Sequence, residues 1–283
     1  MKPSRRNFLK LSAAGILLTK VNSVAGNLLG SNSSQQKPHS KQKFSFGLAS
    51  FSTRTYSLTQ TIAITKRLGL TGLTLKSMHL PLTLSKEEME KAVQEIKDSG
   101  LNFYGVGVLY MTTEEEVKQA FEYAKAAGVK MIIGVPEHNL LPYAEDMVKK
   151  YNINLAIHNH GPTDKRYPTP DSVYEKIKNM DKRVGLCFDI GHTVRAGVNP
   201  AESVTKCFDR LMDVHIKDES EPTEKGNTVE IGRGIIDIPA FLKTLIKLDY
   251  KGTVAFEFEK DEKDPLPGIA ESVGFVHGVL SVL

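Results

Sequence analysis

The fold is decided between Ile153 and Asp218, in the runs INLAIHNHG (153–161), VGLCFDIGH (184–192) and MDVHIKD (212–218). Each is apolar and β-branched, as a strand buried on both faces requires. Each ends in side chains that bind metals or move protons: His158 and His160, then Asp189 and His192, then His215 and Lys217. A fourth run, GTVAFEFE (252–259), ends in Glu257 and Glu259. Core packing does not explain four strands that all turn polar at their C-terminal ends. The pattern predicts one metal centre at the mouth of a (β/α)8 TIM barrel, a single-domain α/β fold, with the loops at that face building the active site.

Upstream, strand and helix alternate with little waste. FSFGLASF (44–51), LTGLTLK (70–76), LNFYGVGV (101–108) and VKMIIGVP (129–136) read as the first four strands. Leu58 to Leu68 has helical spacing closed by Gly69. Ser85 and Glu88 form a capping box for a helix ended by Gly100, and Thr112 or Thr113 opens an acidic helical turn in a helix that runs to Gly128. Further helices are predicted near 170–180, 200–210, 237–249 and 268–282, for a count of eight strands and eight helices. His79 lies just past the second strand, and Glu137 and His138 end the fourth. The stretch 218–236, containing GNTVEIGRG, reads as a long loop, and loops of that length in a compact domain are functional or disordered.

The N-terminus has a different task. Ser4-Arg5-Arg6-Asn7-Phe8-Leu9-Lys10 is similar to a twin-arginine export signal; an apolar stretch follows, then Ser23-Val24-Ala25 as a cleavage site. The apolar stretch is too short for a stable membrane anchor. Residues 1–25 are read as a signal peptide, 26–43 as a flexible linker, and 44–283 as the barrel, exported to the periplasm after cleavage behind Ala25. The leader carries five of the 37 bases and no acid, which leaves 32 bases against 33 acids. That balance gives no electrostatic case for nucleic acid. Cys187 and Cys207 are expected as buried free thiols. A homo-oligomer is compatible with the sequence.

Residues two apart on a strand share a face, so His158 pairs with His160, His215 with Lys217, and Glu257 with Glu259. One ligand per consecutive strand gives His158, Asp189, His215 and Glu257. Mixed imidazole and carboxylate donors suit Mn, Co, Fe or Zn rather than Ca or Mg. Glu257, His160, His192 and Lys217 are then the candidates to move protons at the centre. Lys76, Glu137, Arg195, Arg233 and Glu259 are expected to meet the substrate. Each has a plainer role available. His160 and His192 would also serve to orient ligands, Lys217 would pair with Asp218, and Arg233, between two glycines, would hold its loop.

From Phe44 onward the chain resembles the xylose isomerase-like TIM barrels, the sugar phosphate isomerase/epimerase superfamily. The resemblance rests on CFDIGHT (187–193), DVHIKD (213–218) and AFEFE (255–259). It implies a divalent ion held by Glu, Asp, His and Glu from strands five to eight. Asp189, His215 and Glu257 match the last three positions; His158 stands where the family has its first glutamate. The family's epimerases use two metal-bound glutamates on opposite faces of the sugar, and here that pair is incomplete. The resemblance implies a metal-dependent sugar isomerase or epimerase acting through an enediolate. One base and one acid also suit a lyase or dehydratase carrying out β-elimination on a keto-sugar or 3-keto-glycoside. A third reading is a non-catalytic, exported sugar-binding protein.

Overall fold

The apolar runs become strands because both their faces are covered, by the barrel interior and by an outer ring of helices. The computed structural model describes residues 42–283. The export signal, its cleavage point and the linker as far as Lys41 lie outside the described residues. The strands are β1 (Ser45–Ala49), β2 (Gly72–Leu75), β3 (Asn102–Met111), β4 (Met131–Pro136), β5 (Asn154–His158), β6 (Val184–Asp189), β7 (Leu211–Ile216), the short β8 (Asp218–Glu219) and β9 (Thr228–Val229), and β10 (Thr253–Phe256). Eight of them close a barrel in the order β1-β10-β7-β6-β5-β4-β3-β2. Neighbours in it are parallel, and β8 and β9 form a separate antiparallel pair.

Among the described residues the helices are α1 (Leu58–Arg67), α2 (Lys86–Ser99), α3 (Glu114–Ala126), α4 (Leu141–Tyr151), α5 (Pro170–Ile177), α6 (Ile190–Arg195), α7 (Pro200–Cys207), α8 (Ile238–Lys247) and α9 (Leu266–Val282). Their starts follow the sequence. Ser85 and Glu88 make the expected capping box, Thr113 rather than Thr112 caps α3, and Gly100 ends α2 in the left-handed region at φ 80°. The expected count of eight helices is corrected to nine by α6, where a turn at Gly191 was expected. It starts directly after β6 because Asp189 Oδ1 accepts the backbone N–H of His192 at 2.7 Å.

Register sets the height of each side chain at the mouth. His158 lies beside Cys187, and Asp189 beside His215. Glu257 follows β10, and its backbone N–H donates to Ile216 O at 3.1 Å. Cys187 and Cys207 are buried and unpaired, as expected.

The stretch 218–236 is folded. Asp218 accepts four backbone N–H groups, from Glu219, Gly232, Gly234 and Ile236, at 2.9 to 3.1 Å. Gly234 is required there: a Cβ would meet Asp218 Oδ1 at 2.2 Å. Two ion pairs tie the stretch down, Arg233 to Glu271 and Lys260 to the buried Glu230.

Candidate metal centre

Alternation along β5, β6 and β7 turns Ala156 and His158, Cys187 and Asp189, and Asp213, His215 and Lys217 to a common side. One donor atom each from His158, Asp189, His215 and Glu257 lies within 4.8 Å of the other three, and all four residues are buried. His158 Nε2 is 3.1 Å from His215 Nδ1 and 3.5 Å from Asp189 Oδ2. His215 Nδ1 is 3.1 Å from Glu257 Oε2 and 4.0 Å from Asp189 Oδ2. The sequence placed these residues on four strands, and the fold brings them to one point.

The donors fit a first-row dication. Ligand atoms about 2.0–2.1 Å from a tetrahedral zinc lie roughly 3.3 Å from one another, close to the separations found here. His215 turns Nδ1 to the other donors and Nε2 toward Asp213 Oδ2 at 3.7 Å, so that one nitrogen each from two imidazoles and one oxygen each from two carboxylates face a common point. Buried carboxylates are costly in a finished core and ordinary where a bound cation completes the site. Cys187 forms a second ligand-type group with the same two histidines; burial, then the nearby Asp213 carboxylate, pushes its thiol well above the usual range.

Lys217 lies beside the four donors. Its Nζ is 3.0 Å from Asp189 Oδ2 and 2.7 Å from Glu257 Oε2, and it also bonds Glu259 Oε1. The expected alternative, a pair with Asp218, is not formed, because Asp218 is occupied by backbone N–H groups. Burial works against charge on all three site groups, and mutual attraction outweighs it. Lys217 is held well above its ordinary value by Asp189, Glu257 and Glu259. Asp189 and Glu257 are held well below theirs, chiefly by Lys217.

Burial also works against charge on three imidazoles around the centre. Burial pushes His158 down to about 4 and His160 to about 3, and lowers His192. His160 stacks between His158 and His192, and its Nε2 is 3.0 Å from the Tyr110 hydroxyl. His192 Nδ1 is buried without a partner.

The five expected substrate residues are placed differently from one another. Glu259 joins the centre through Lys217. Lys76 follows β2, with its ammonium 4.1 Å over the Phe51 ring. Glu137 pairs with Arg166 at 2.5 Å, and Arg166 in turn lies over the Tyr110 ring. Arg195 donates to Glu224 O at 2.8 Å, and Arg233 is bound bidentately to Glu271. The last two hold the loop region in this structure, the plainer of the roles open to Arg233.

Several contributors were missed from sequence. Asn159, between the two histidines, clamps β5 to β6: its amide donates to Asp189 O at 3.1 Å and its Oδ1 accepts the Asp189 N–H at 2.9 Å. Asp213 faces His215 Nε2 at 3.7 Å and the Tyr104 hydroxyl at 3.3 Å, and burial raises its carboxyl to about 6. The period of two in DVHIK was signal enough for Asp213. Glu219, raised to about 7 by burial, keeps one buried oxygen unpartnered, and Tyr110 is nearly half exposed at the mouth.

Residues 62–277 match the family described as xylose isomerase-like TIM barrel. The chain belongs to this family. Among curated relatives, the rhizopine catabolism protein MocC of Rhizobium meliloti is 28% identical over 143 residues, 45% of this chain and 43% of MocC. The chain thus spans less than half of MocC. An inosose dehydratase 1 of Bacillus cereus is 25% identical over 224 residues, 71% of this chain and 74% of that enzyme. Among solved structures, the IOLI protein with a bound zinc atom superposes with a TM-score of 0.72 at 18% identity, over 84% of this chain and 99% of the other. That likeness is one of fold.

Proposed function

We propose that the protein is a divalent-metal-dependent lyase of keto-sugars. It takes a proton from the carbon next to a carbonyl and expels the oxygen substituent on the carbon beyond. In that elimination one C–H and one C–O bond break, a C=C bond forms, and the leaving oxygen receives a proton. The observation that carries this reading is the convergence of His158, Asp189, His215 and Glu257 on one point, with a protonated lysine against the same carboxylates. The curated inosose dehydratase relatives, named for an elimination, support the reaction class.

His158, Asp189, His215 and Glu257 would hold the ion, either Mn, Co, Zn or Fe. A dication held there polarises a carbonyl oxygen and acidifies the neighbouring C–H. The chain's own groups supply the rest. Glu257 is the base: its contacts with His215 and Lys217 both fall on Oε2, which leaves Oε1 to take the proton. Lys217 stays protonated and donates hydrogen bonds to developing negative charge. His160 and His192, kept neutral by burial, relay the proton to the leaving group, and Tyr110 fixes the tilt of His160.

The single-base arrangement favours elimination over epimerisation. His158 stands where a second carboxylate would be needed to work the opposite face of a sugar. Isomerisation or epimerisation is the second reading, supported by the neutral His160 and His192 as groups able to return a proton. We further place the mature protein in the periplasm on the strength of SRRNFLK and the site ending at Ala25. Edman sequencing of the mature protein should then start at Gly26. No described helix is long and apolar enough to cross a membrane.

The test is metal-loaded protein offered a 3-keto-glycoside and free ketoses in deuterated water, followed by proton NMR. Release of the aglycone supports the lyase. Exchange at the α-carbon with no leaving group lost supports the isomerase. Neither, with every substrate, defeats both.

A further inference from the structure

Lys217 is among the largest fully buried side chains, with 1% of its surface exposed, and is the one charged residue among them. A buried ammonium persists only where anions surround it. Here it has three: Asp189, Glu257 and Glu259. Asp189 Oδ2 and Glu257 Oε2, which it holds, are also the oxygens closest to the converging imidazole nitrogens. A dication bound by those oxygens would meet the ammonium at close range, where like charges repel strongly in a dry site. The third partner differs. The Glu259 side chain is 31% exposed against 0% for Asp189 and 5% for Glu257, so it marks the open side of the mouth. The three carboxylates together balance one ammonium and one dication.

We propose that Lys217 is the centre's built-in counter-cation and exchanges places with the metal. When an ion enters, the ammonium leaves Asp189 and Glu257 and keeps Glu259. Lys217 thus weakens metal binding and is delivered, still protonated, to the substrate side of the mouth once the ion is present. Glu259 acts through the lysine as a positioning residue: it is the partner that lets both cations stay. The inference rests on the metal reading above and adds the coupling between ion and lysine.

Two measurements test it on the mature chain, with zinc or cobalt(II) as the probe. In calorimetric titration, Lys217→Met should bind the ion at least tenfold more tightly than wild type. Glu259→Gln should bind it about tenfold more weakly, and Lys217→Met/Glu259→Gln should return to within a few-fold of Lys217→Met. Unchanged or weaker binding by Lys217→Met, in a protein whose circular dichroism and melting match wild type, overturns the exchange. Should that variant fold poorly, wild type alone decides. Acetylation of Lys217, normalised to the exposed Lys86, should rise when zinc is added; no rise overturns the proposal. If wild type and Lys217→Met both bind no dication, the metal reading itself falls. Binding by Lys217→Met alone would support the exchange in its strongest form.

Discussion

The two halves of the barrel mouth are built from the same kind of strand end and treat polar atoms in opposite ways. At the ends of β1 and β2, Ser50, Ser52, Thr53 and His79 are buried and bond one another or nearby backbone. His79 bridges Ser50 Oγ and Thr53 O at 3.0 Å each, Ser52 reaches Ala49 O and accepts the Phe258 N–H, and Thr53 meets Thr61. None of them is left with an unsatisfied side-chain atom among the described residues. On the β6 and β7 side, His192 Nδ1, Arg195 Nε, His215 Nε2 and Glu219 Oε2 are each buried with no hydrogen-bond partner. An orphaned buried polar atom costs about 1–3 kcal/mol. The first half is finished as structure, whereas the second is held ready for something else.

Removing one ligand should separate the two halves most widely. His215→Ala is expected to lower kcat/KM about a thousandfold, roughly 4 kcal/mol of lost transition-state stabilisation, and to abolish stoichiometric metal binding. Its thermal transition should stay within a few degrees, since His215 completes a site more than it fills the core. A collapse of the fold would mean that the ion is structural.

The opposite outcome is expected at His79. His79→Ala leaves Ser50 Oγ and Thr53 O without their bridge, a loss of about 2 kcal/mol. In a domain of this size that lowers the melting temperature by about 4–8 °C, while kcat changes less than His215→Ala changes it. A large loss of kcat at His79 would erase the contrast between the halves.

The sequence made one of these halves legible and hid the other. His158, Asp189, His215 and Glu257 stood out because parallel strands bury both faces, so a polar residue at the same end of four runs has no packing reason. His79 could not be sorted from them by type alone. Its role is fixed by Ser50 and Thr53, more than twenty-five residues earlier, and no local pattern encodes that pairing. The same holds for Asp218, read as a salt-bridge partner but used by four backbone N–H groups from as far on as Ile236. Arg195 and Arg233 are expected from the sequence to meet substrate, and both are engaged elsewhere. Where a long side chain points depends on acceptors such as Glu224 O and Glu271. Strand position is written in the chain; side-chain partnership across strands is not.

Tyr110 sharpens the comparison on a smaller scale, since it reaches from β3 across to His160. Tyr110→Phe removes one hydroxyl contact and keeps the ring over which Arg166 lies. The expected cost is about fivefold in kcat/KM, near 1 kcal/mol, with unchanged metal affinity. An unchanged kcat/KM would show that His160 needs no help from Tyr110.

The smallest effect distinguishes a histidine that is neutral for structural reasons from one awaiting a proton. Burial lowers His79 below its ordinary value, against hydrogen bonds to the backbone of Thr53 and Tyr56 that would raise it. In the unfolded chain the same imidazole takes a proton near pH 6.5. Below that pH the unfolded state therefore binds more protons than the folded one, and stability falls as pH falls. The stability His79 provides is fully present above about pH 6.5 and is lost on the acid side. Glutamine, which bonds in a similar way but does not titrate, is blind to this change. The gap in urea midpoint between wild type and His79→Gln should thus be widest near neutrality and shrink as the pH is lowered toward 5. A gap that widens on acidification would mean that His79 is charged in the fold. In that event the β1–β2 half of the mouth would hold a working proton of its own.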